Sequence, residues 1–219
     1  MNKNNSKEQF FFKLIVIGDS YVGKTSIIRR YVYNAFEENS QATIGMSFIL
    51  KEVTLKDKTV IKLKILDTAG QEKYRSMTKS FFKNADGVLF VFSLNDVDSF
   101  LDISEWINVF EENFSNNKDE NDIPRYLIGN KSDLQINVSQ DLIDDFLKNN
   151  NNKKYKYMRA CALNNENIEN IFKGISEDIY EMYKKKGNTE QQMKVIKLWD
   201  VKNRRRSNVK CPICLVPEA

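Results

Sequence analysis

The octet Gly18-Asp19-Ser20-Tyr21-Val22-Gly23-Lys24-Thr25 constrains this chain more than any other stretch. It fits G-x-x-x-x-G-K-[ST], a loop whose main-chain N–H groups cradle phosphates. Its two glycines let the backbone curl around an anion where a Cβ would intrude. Lys24 offers a point charge to β- and γ-phosphates, and the Thr25 hydroxyl is placed to ligate Mg²⁺. The flanks agree with that reading. Phe11 to Ile17 reads as a buried strand and Thr25 to Val32 as a helix. A helix in that position aims its positive end at the loop. The bland alternative is a glycine turn joining a strand to a helix.

The rest of the chain continues the alternation. Phe48 to Lys56 and Thr59 to Leu66 read as strands joined by a tight turn at Asp57-Lys58, which makes them an antiparallel hairpin. In the second, Ile61, Leu63 and Ile65 alternate with Lys62 and Lys64, the period of a half-buried strand. The unbroken apolar run Gly87 to Phe92 suits a strand covered on both faces. Phe100, Ile103, Ile107, Phe110 and Phe114 recur at helical spacing. Tyr126 to Gly129 is a short strand, Ser139 caps a helix, Tyr155 to Ala160 is the last strand, and Ile168 to Met182 is a final amphipathic helix. The pattern predicts an α/β fold with a six-stranded, mostly parallel sheet flanked by helices. Ligands of such sheets bind at the carboxyl ends of the strands. Gly18 to Thr25, Asp67 to Gln71 and Asn130 to Asp133 each follow a strand.

Composition narrows the chemistry. The chain has no histidine, which removes Ser-His and Cys-His catalysis. Its 41% hydrophobic and 29% charged content is that of a globular domain. A polar start at Met1 to Gln9 and the lack of an apolar run near ~18 residues point to a cytoplasmic chain. Three cysteines, Cys161, Cys211 and Cys214, argue against a disulfide framework. Charge is unevenly placed. Met1 to Tyr183 holds 24 basic and 27 acidic residues, whereas Lys184 to Ala219 holds 10 and 3. A basic tail on a near-neutral body suggests an anionic surface as its partner, lipid or nucleic acid, or else a merely solvated tail.

These segments together resemble the small GTPases of the Ras superfamily, with Rab-type features, from about Lys13 to about Tyr183. Gly18 to Thr25 resembles the Rab phosphate loop, and Thr43-Ile44-Gly45 the end of switch I. Asp67-Thr68-Ala69-Gly70-Gln71 resembles the start of switch II, and Asn130-Lys131-Ser132-Asp133 the guanine motif. Cys161-Ala162-Leu163 stands in place of the Ser-Ala-Lys loop. The resemblance implies a P-loop G domain over residues 13–185, between an N-terminal tail (1–12) and a variable basic tail (186–219).

It also implies roles. Residues 18–26 (Ser26 included), Thr43 and Gly70 would hold phosphates, and Thr25, Thr43 and Asp67 would serve Mg²⁺. Asp133 can pair with both N–H donors of the guanine N1/N2 edge, which adenine lacks. Asn130, Lys131, Cys161, Ala162 and Leu163 would complete the base site. Gln71 would orient the attacking water. No stabilising arginine is evident in these motifs, so slow intrinsic turnover is expected, with an activating protein adding about 10³–10⁵-fold. GTP and GDP, an exchange factor, an activating protein and effectors are the expected partners of a monomer; no nucleic acid is expected.

Departures from the pattern carry their own expectations. Tyr21 replaces a small residue and reads as tuning. Leu66 replaces a tryptophan and, with Ile44, Phe48 and Phe81, is expected to form an exposed apolar effector surface. Leu163 replaces lysine, which leaves the Ala162 N–H for the base oxygen. Cys211 and Cys214 are candidates for geranylgeranylation and for binding to an endomembrane surface, although Val216 to Ala219 does not fit C-a-a-X. Zinc and redox readings of C-x-x-C are weaker. Rival readings of the whole chain are a GTP-gated binding module with negligible hydrolysis, a Ras-type signalling switch outside vesicle traffic, and a P-loop ATPase or nucleotide kinase.

Overall fold

A computed structural model describes residues 9–37, 46–68, 82–114, 123–150 and 154–186. Packing divides the chain into a compact unit, Met1–Tyr183, and a second, Lys184–Ala219. The first is built on β1 (Phe10–Ile17), β2 (Met46–Thr54), β3 (Val60–Thr68), β4 (Gly87–Ser93), β5 (Arg125–Asn130) and β6 (Tyr155–Arg159). They form one sheet in the order β2-β3-β1-β4-β5-β6. Every neighbouring pair is parallel except β2 with β3. That hairpin is the expected one. Its turn closes with Lys58 in a left-handed conformation (φ 65°) and the Asp57 carboxylate accepting the Thr59 N–H at 3.0 Å.

The helices are α1 (Lys24–Tyr33), α2 (Val97–Leu101), α3 (Ile103–Phe114), α4 (Gln140–Asn149) and α5 (Ile168–Lys186). Alternation along β1 sorts the core into two layers. Leu14 and Val16 join Ile27, Ile28, Phe172 and Ile175 on the α1 and α5 side. Ile15 and Ile17 join Phe100, Ile103, Trp106, Phe110 and Ile143 on the α2, α3 and α4 side. Each fully buried side chain of this kind contributes about 1.5–3 kcal/mol. Tyr31 stacks on Phe172 with ring centroids 4.0 Å apart, which fastens α1 to α5. No described helix is long and apolar enough to cross a membrane.

Two sequence expectations shift. The single helix read through Phe100 and Phe114 is two, with Asp102 between them. Hydrogen bonding runs through the join, from Asp102 N to Asp98 O (2.9 Å) and from Trp106 N to Asp102 O (3.0 Å), so the apolar stripe stays continuous. Asp96 caps the first piece. The second shift is at β3, which extends to Thr68, because Ser47 and Met46 continue the ladder opposite Asp67 and Thr68. The extension matters: it carries Asp67 to the buried end of a central strand.

Candidate nucleotide site

The phosphate loop leaves β1 at Gly18 and enters α1 at Lys24. Gly18 sits at φ 145°, and a Cβ there would lie 1.9 Å from the Val91 carbonyl oxygen of β4. Gly23 sits at φ 94°, where a Cβ would lie 2.3 Å from Asn130 Nδ2. Both glycines are therefore required by close backing as well as by backbone conformation. Asn130 answers by donating from Nδ2 to the Val22 carbonyl at 2.8 Å. The loop that would hold phosphates is thus braced by the residue that heads the candidate base motif. Helix α1 begins without a side-chain cap and without an acidic residue in its first turn. Its N-terminal partial positive charge is left uncompensated by the chain.

Lys24 is buried, and its ammonium donates to the carbonyls of Gly18 (2.8 Å) and Asp19 (2.5 Å). Burial lowers its pKa from 10.5 to about 8, against the opposing pull of the Asp67 and Asp19 carboxylates. Thr25 Oγ1 donates to Asp67 Oδ2 at 2.8 Å. Asp67 Oδ1 is buried with no hydrogen-bond partner among the described residues. Burial raises the Asp67 pKa, and the Thr25 hydrogen bond and the charges of Lys24 and Arg29 only partly offset it. A buried carboxylate oxygen without a partner is costly. Beside a threonine hydroxyl, it matches the sparse oxygen set that Mg²⁺ takes from a protein when phosphates and water supply the rest. The donor set fits the ion.

At the other end, Asn130 Oδ1 accepts the Ala162 N–H at 3.3 Å. Cys161 is fully buried and its thiol donates to Asp133 Oδ1 at 2.9 Å. Burial, then the Asp133 contact, raises the thiol's pKa. Asp133 itself is exposed, with Lys131 before it in a left-handed turn (φ 61°). A carboxylate, a main-chain N–H and an asparagine amide face one opening. That combination reads the hydrogen-bonding edge of a purine.

A sequence model of the Ras family matches residues 13–181. The chain belongs to the Ras family. Among its relatives, the Ras-related protein Rab-11C of Dictyostelium discoideum is 33% identical over 180 residues, 81% of this chain and 76% of that one. The Ras-related protein RABA4d of Arabidopsis thaliana is 36% identical over 187 residues, 84% and 80% of the two chains. The GTP-binding protein YPTM2 of Zea mays is 33% identical over 177 residues, 80% and 83%. The chain is a Rab-like small GTPase, with the six-stranded P-loop fold that its motifs imply.

Several expected site residues of the GTPase, Thr43, Ile44, Gly70, Gln71, Phe81, Cys211 and Cys214, lie outside the described residues. Ser20 and Ser26 are half-buried on the loop and first turn of α1. Tyr21 is 73% exposed at φ 62°, an outlying backbone conformation for a bulky side chain. The expectation for Leu66 is corrected. It is only 4% exposed, whereas its cross-strand partner Phe48 is 58% exposed and carries Lys64 Nζ 4.3 Å over its ring. Leu66 shares the face of Lys62 and Lys64, but its other neighbour in register is the fully buried Ile15 of β1. The face turns from wet to dry along the strand, so Phe48 alone of this pair offers apolar surface.

Two contributors escaped sequence reasoning. Trp106, nearly fully buried on α3, donates its indole N–H to Asp19 Oδ1 at 2.6 Å. Its helical spacing with Ile103 and Phe110 marks it as core and conceals the polar contact. Arg30, in the last turn of α1, bonds the Ala162 and Leu163 carbonyls. No local pattern announces partners more than 130 positions away.

Proposed function

We propose that this GTPase binds GTP and GDP with Mg²⁺, hydrolyses GTP, and switches effector binding in vesicle traffic on the cytosolic face of endomembranes. The observation that carries the nucleotide part is the Thr25–Asp67 pair beside the buried Lys24. A cationic side chain, an uncapped helix end and a buried carboxylate oxygen without a partner converge where a triphosphate and a divalent ion belong. When bound, Mg²⁺ bridges phosphate oxygens and neutralises charge developing on them.

In this reading the loop N–H groups of residues 18–26 and the Lys24 ammonium bind the phosphates, and Thr25, Thr43 and Asp67 serve the ion. Gly70 approaches the γ-phosphate through its N–H, and Gln71 orients the water for in-line attack. Asn130, Lys131, Asp133, Cys161, Ala162 and Leu163 form the guanine site. Thr43 and Gly70, answering to the γ-phosphate, make the segments around them responsive to hydrolysis. Residues 13–185 act as the G domain, and the basic tail with Cys211 and Cys214 serves membrane attachment. The relatives' Rab names and the GTP-binding description of the Zea mays protein support the assignment.

Phosphate release from purified full-length protein tests the proposal. Expected is slow turnover of GTP and not ATP, abolished by EDTA and accelerated by an activating protein. Equal use of ATP, or indifference to the metal, refutes it. The exposed Tyr21 beside Ser20 favours one alternative, a GTP-gated binding module with negligible hydrolysis. Absence of turnover even with an activating protein would select that alternative. Loss of membrane localisation in a Cys211/Cys214 double substitution tests the attachment.

A further inference from the structure

Arg30 does more than finish α1. Its Nε donates to the Ala162 carbonyl at 2.8 Å and its Nη2 to the Leu163 carbonyl at 2.9 Å. Its Nη1 donates to the Asn34 carbonyl at 3.0 Å and lies 3.4 Å from Asn34 Oδ1. The guanidinium also sits 5.9 Å from the centroid of the Phe36 ring. A planar fork held on two successive carbonyls fixes the peptide plane between them, which a single flexible ammonium cannot do. The loop needs that hold. Leu163 is 47% exposed, so its side chain gives the loop little anchorage. The remaining main-chain ties are the Cys161–Glu166 pair, at 3.2 and 3.0 Å, and the long bond from Ala162 N to Asn130 Oδ1.

We propose that Arg30 is a positioning residue for base recognition: by clamping the Ala162 and Leu163 carbonyls it aims the Ala162 N–H at the 6-oxo group of guanine. The inference rests on the guanine-nucleotide reading above. Arg30 touches no ligand atom. It acts through the main chain of the loop, from a helix whose other end carries Lys24 and Thr25. The base-reading and phosphate-binding ends of the site are therefore tied through one rigid element.

The test compares GDP with 6-thioguanosine diphosphate, which keeps the N1 and N2 donors and replaces only the 6-oxo acceptor by a weaker one. Full-length wild-type protein is expected to bind GDP more tightly than the thio analogue. Arg30→Met, which keeps the aliphatic stem, should weaken GDP about tenfold and the analogue by about twofold or less, the loss of a charge-assisted clamp. Arg30→Lys, which keeps the charge without the fork, should fall between wild type and Arg30→Met, and it carries the test if the methionine variant does not fold. Equal losses for the two ligands would make Arg30 merely structural and overturn the proposal, as would unchanged GDP affinity in both variants. A wild type that does not bind GDP, or that treats the two ligands alike, would overturn the base-site reading itself.

Discussion

Trp106 of α3 and Asp19 of the phosphate loop are joined by a 2.6 Å hydrogen bond from the indole N–H to the carboxylate. The main-chain carbonyl of the same Asp19 receives the Lys24 ammonium. One residue of the loop thus couples the helix layer on one face of the sheet to the cation placed for phosphate. Burial raises the Asp19 pKa and Asp102 adds to the rise, while the Trp106 hydrogen bond opposes both.

Trp106→Phe keeps most of the packing and removes the donor. Leaving a half-buried carboxylate short of its partner should cost about 1–3 kcal/mol of stability. Thermal unfolding of the GDP-bound protein should show the loss, and GDP release should quicken. Asp19→Ala combined with Trp106→Phe should be little worse than either change alone. Additive losses in that cycle would mean that the two side chains do not act as a unit.

The buried Lys24 sets a pH dependence for the nucleotide-free protein. Its pKa is lowered on folding, from 10.5 to about 8. Between those values the unfolded chain binds the proton more readily than the folded one. Stability from this group therefore rises with pH from about 8 to 10.5, by about 3 kcal/mol at most, and is lacking below that window. Urea unfolding of the nucleotide-free protein at several alkaline pH values should record the rise. Lys24→Met should flatten it and stabilise the empty protein near neutrality, while weakening nucleotide binding severely.

Asp133→Asn exchanges an acceptor-only group for an amide that can also donate. The variant should lose guanine affinity by at least about 100-fold, as expected when a buried donor pair loses its acceptor, and move its preference toward xanthine nucleotides. Competition binding with GDP and xanthosine diphosphate reads the change. Retained guanine selectivity would sink the assignment of Asp133 to the base.

Phe172 is fully buried on α5 and stacked on Tyr31 of α1. Phe172→Ala should cost about 3–5 kcal/mol through lost burial and an incompletely collapsed cavity. Calorimetry on the GDP-bound protein should find a clearly lower Tm. A change below about 1 kcal/mol would show that the two helices are held together elsewhere.

The phosphate loop, the hairpin and the guanine motif were legible in the chain because their signals are local. Glycine spacing reports what a backbone must do within eight residues, and alternation of Ile61, Leu63 and Ile65 with lysines reports a strand face. Such patterns hold whatever the rest of the molecule does. The burial of Leu66, the bond from Trp106 to Asp19 and the clamp of Arg30 on Ala162 and Leu163 were not written that way. Each depends on which strand lies beside which, and on distances between residues far apart in sequence. Leu66 looked exposed by its period and is dry because β1 brings Ile15 alongside. Residue order determined which chemical groups the site contains. Only the packing of strands and helices decided which of them touch, because a hydrogen bond forms over about 3 Å of space however much chain lies between its partners.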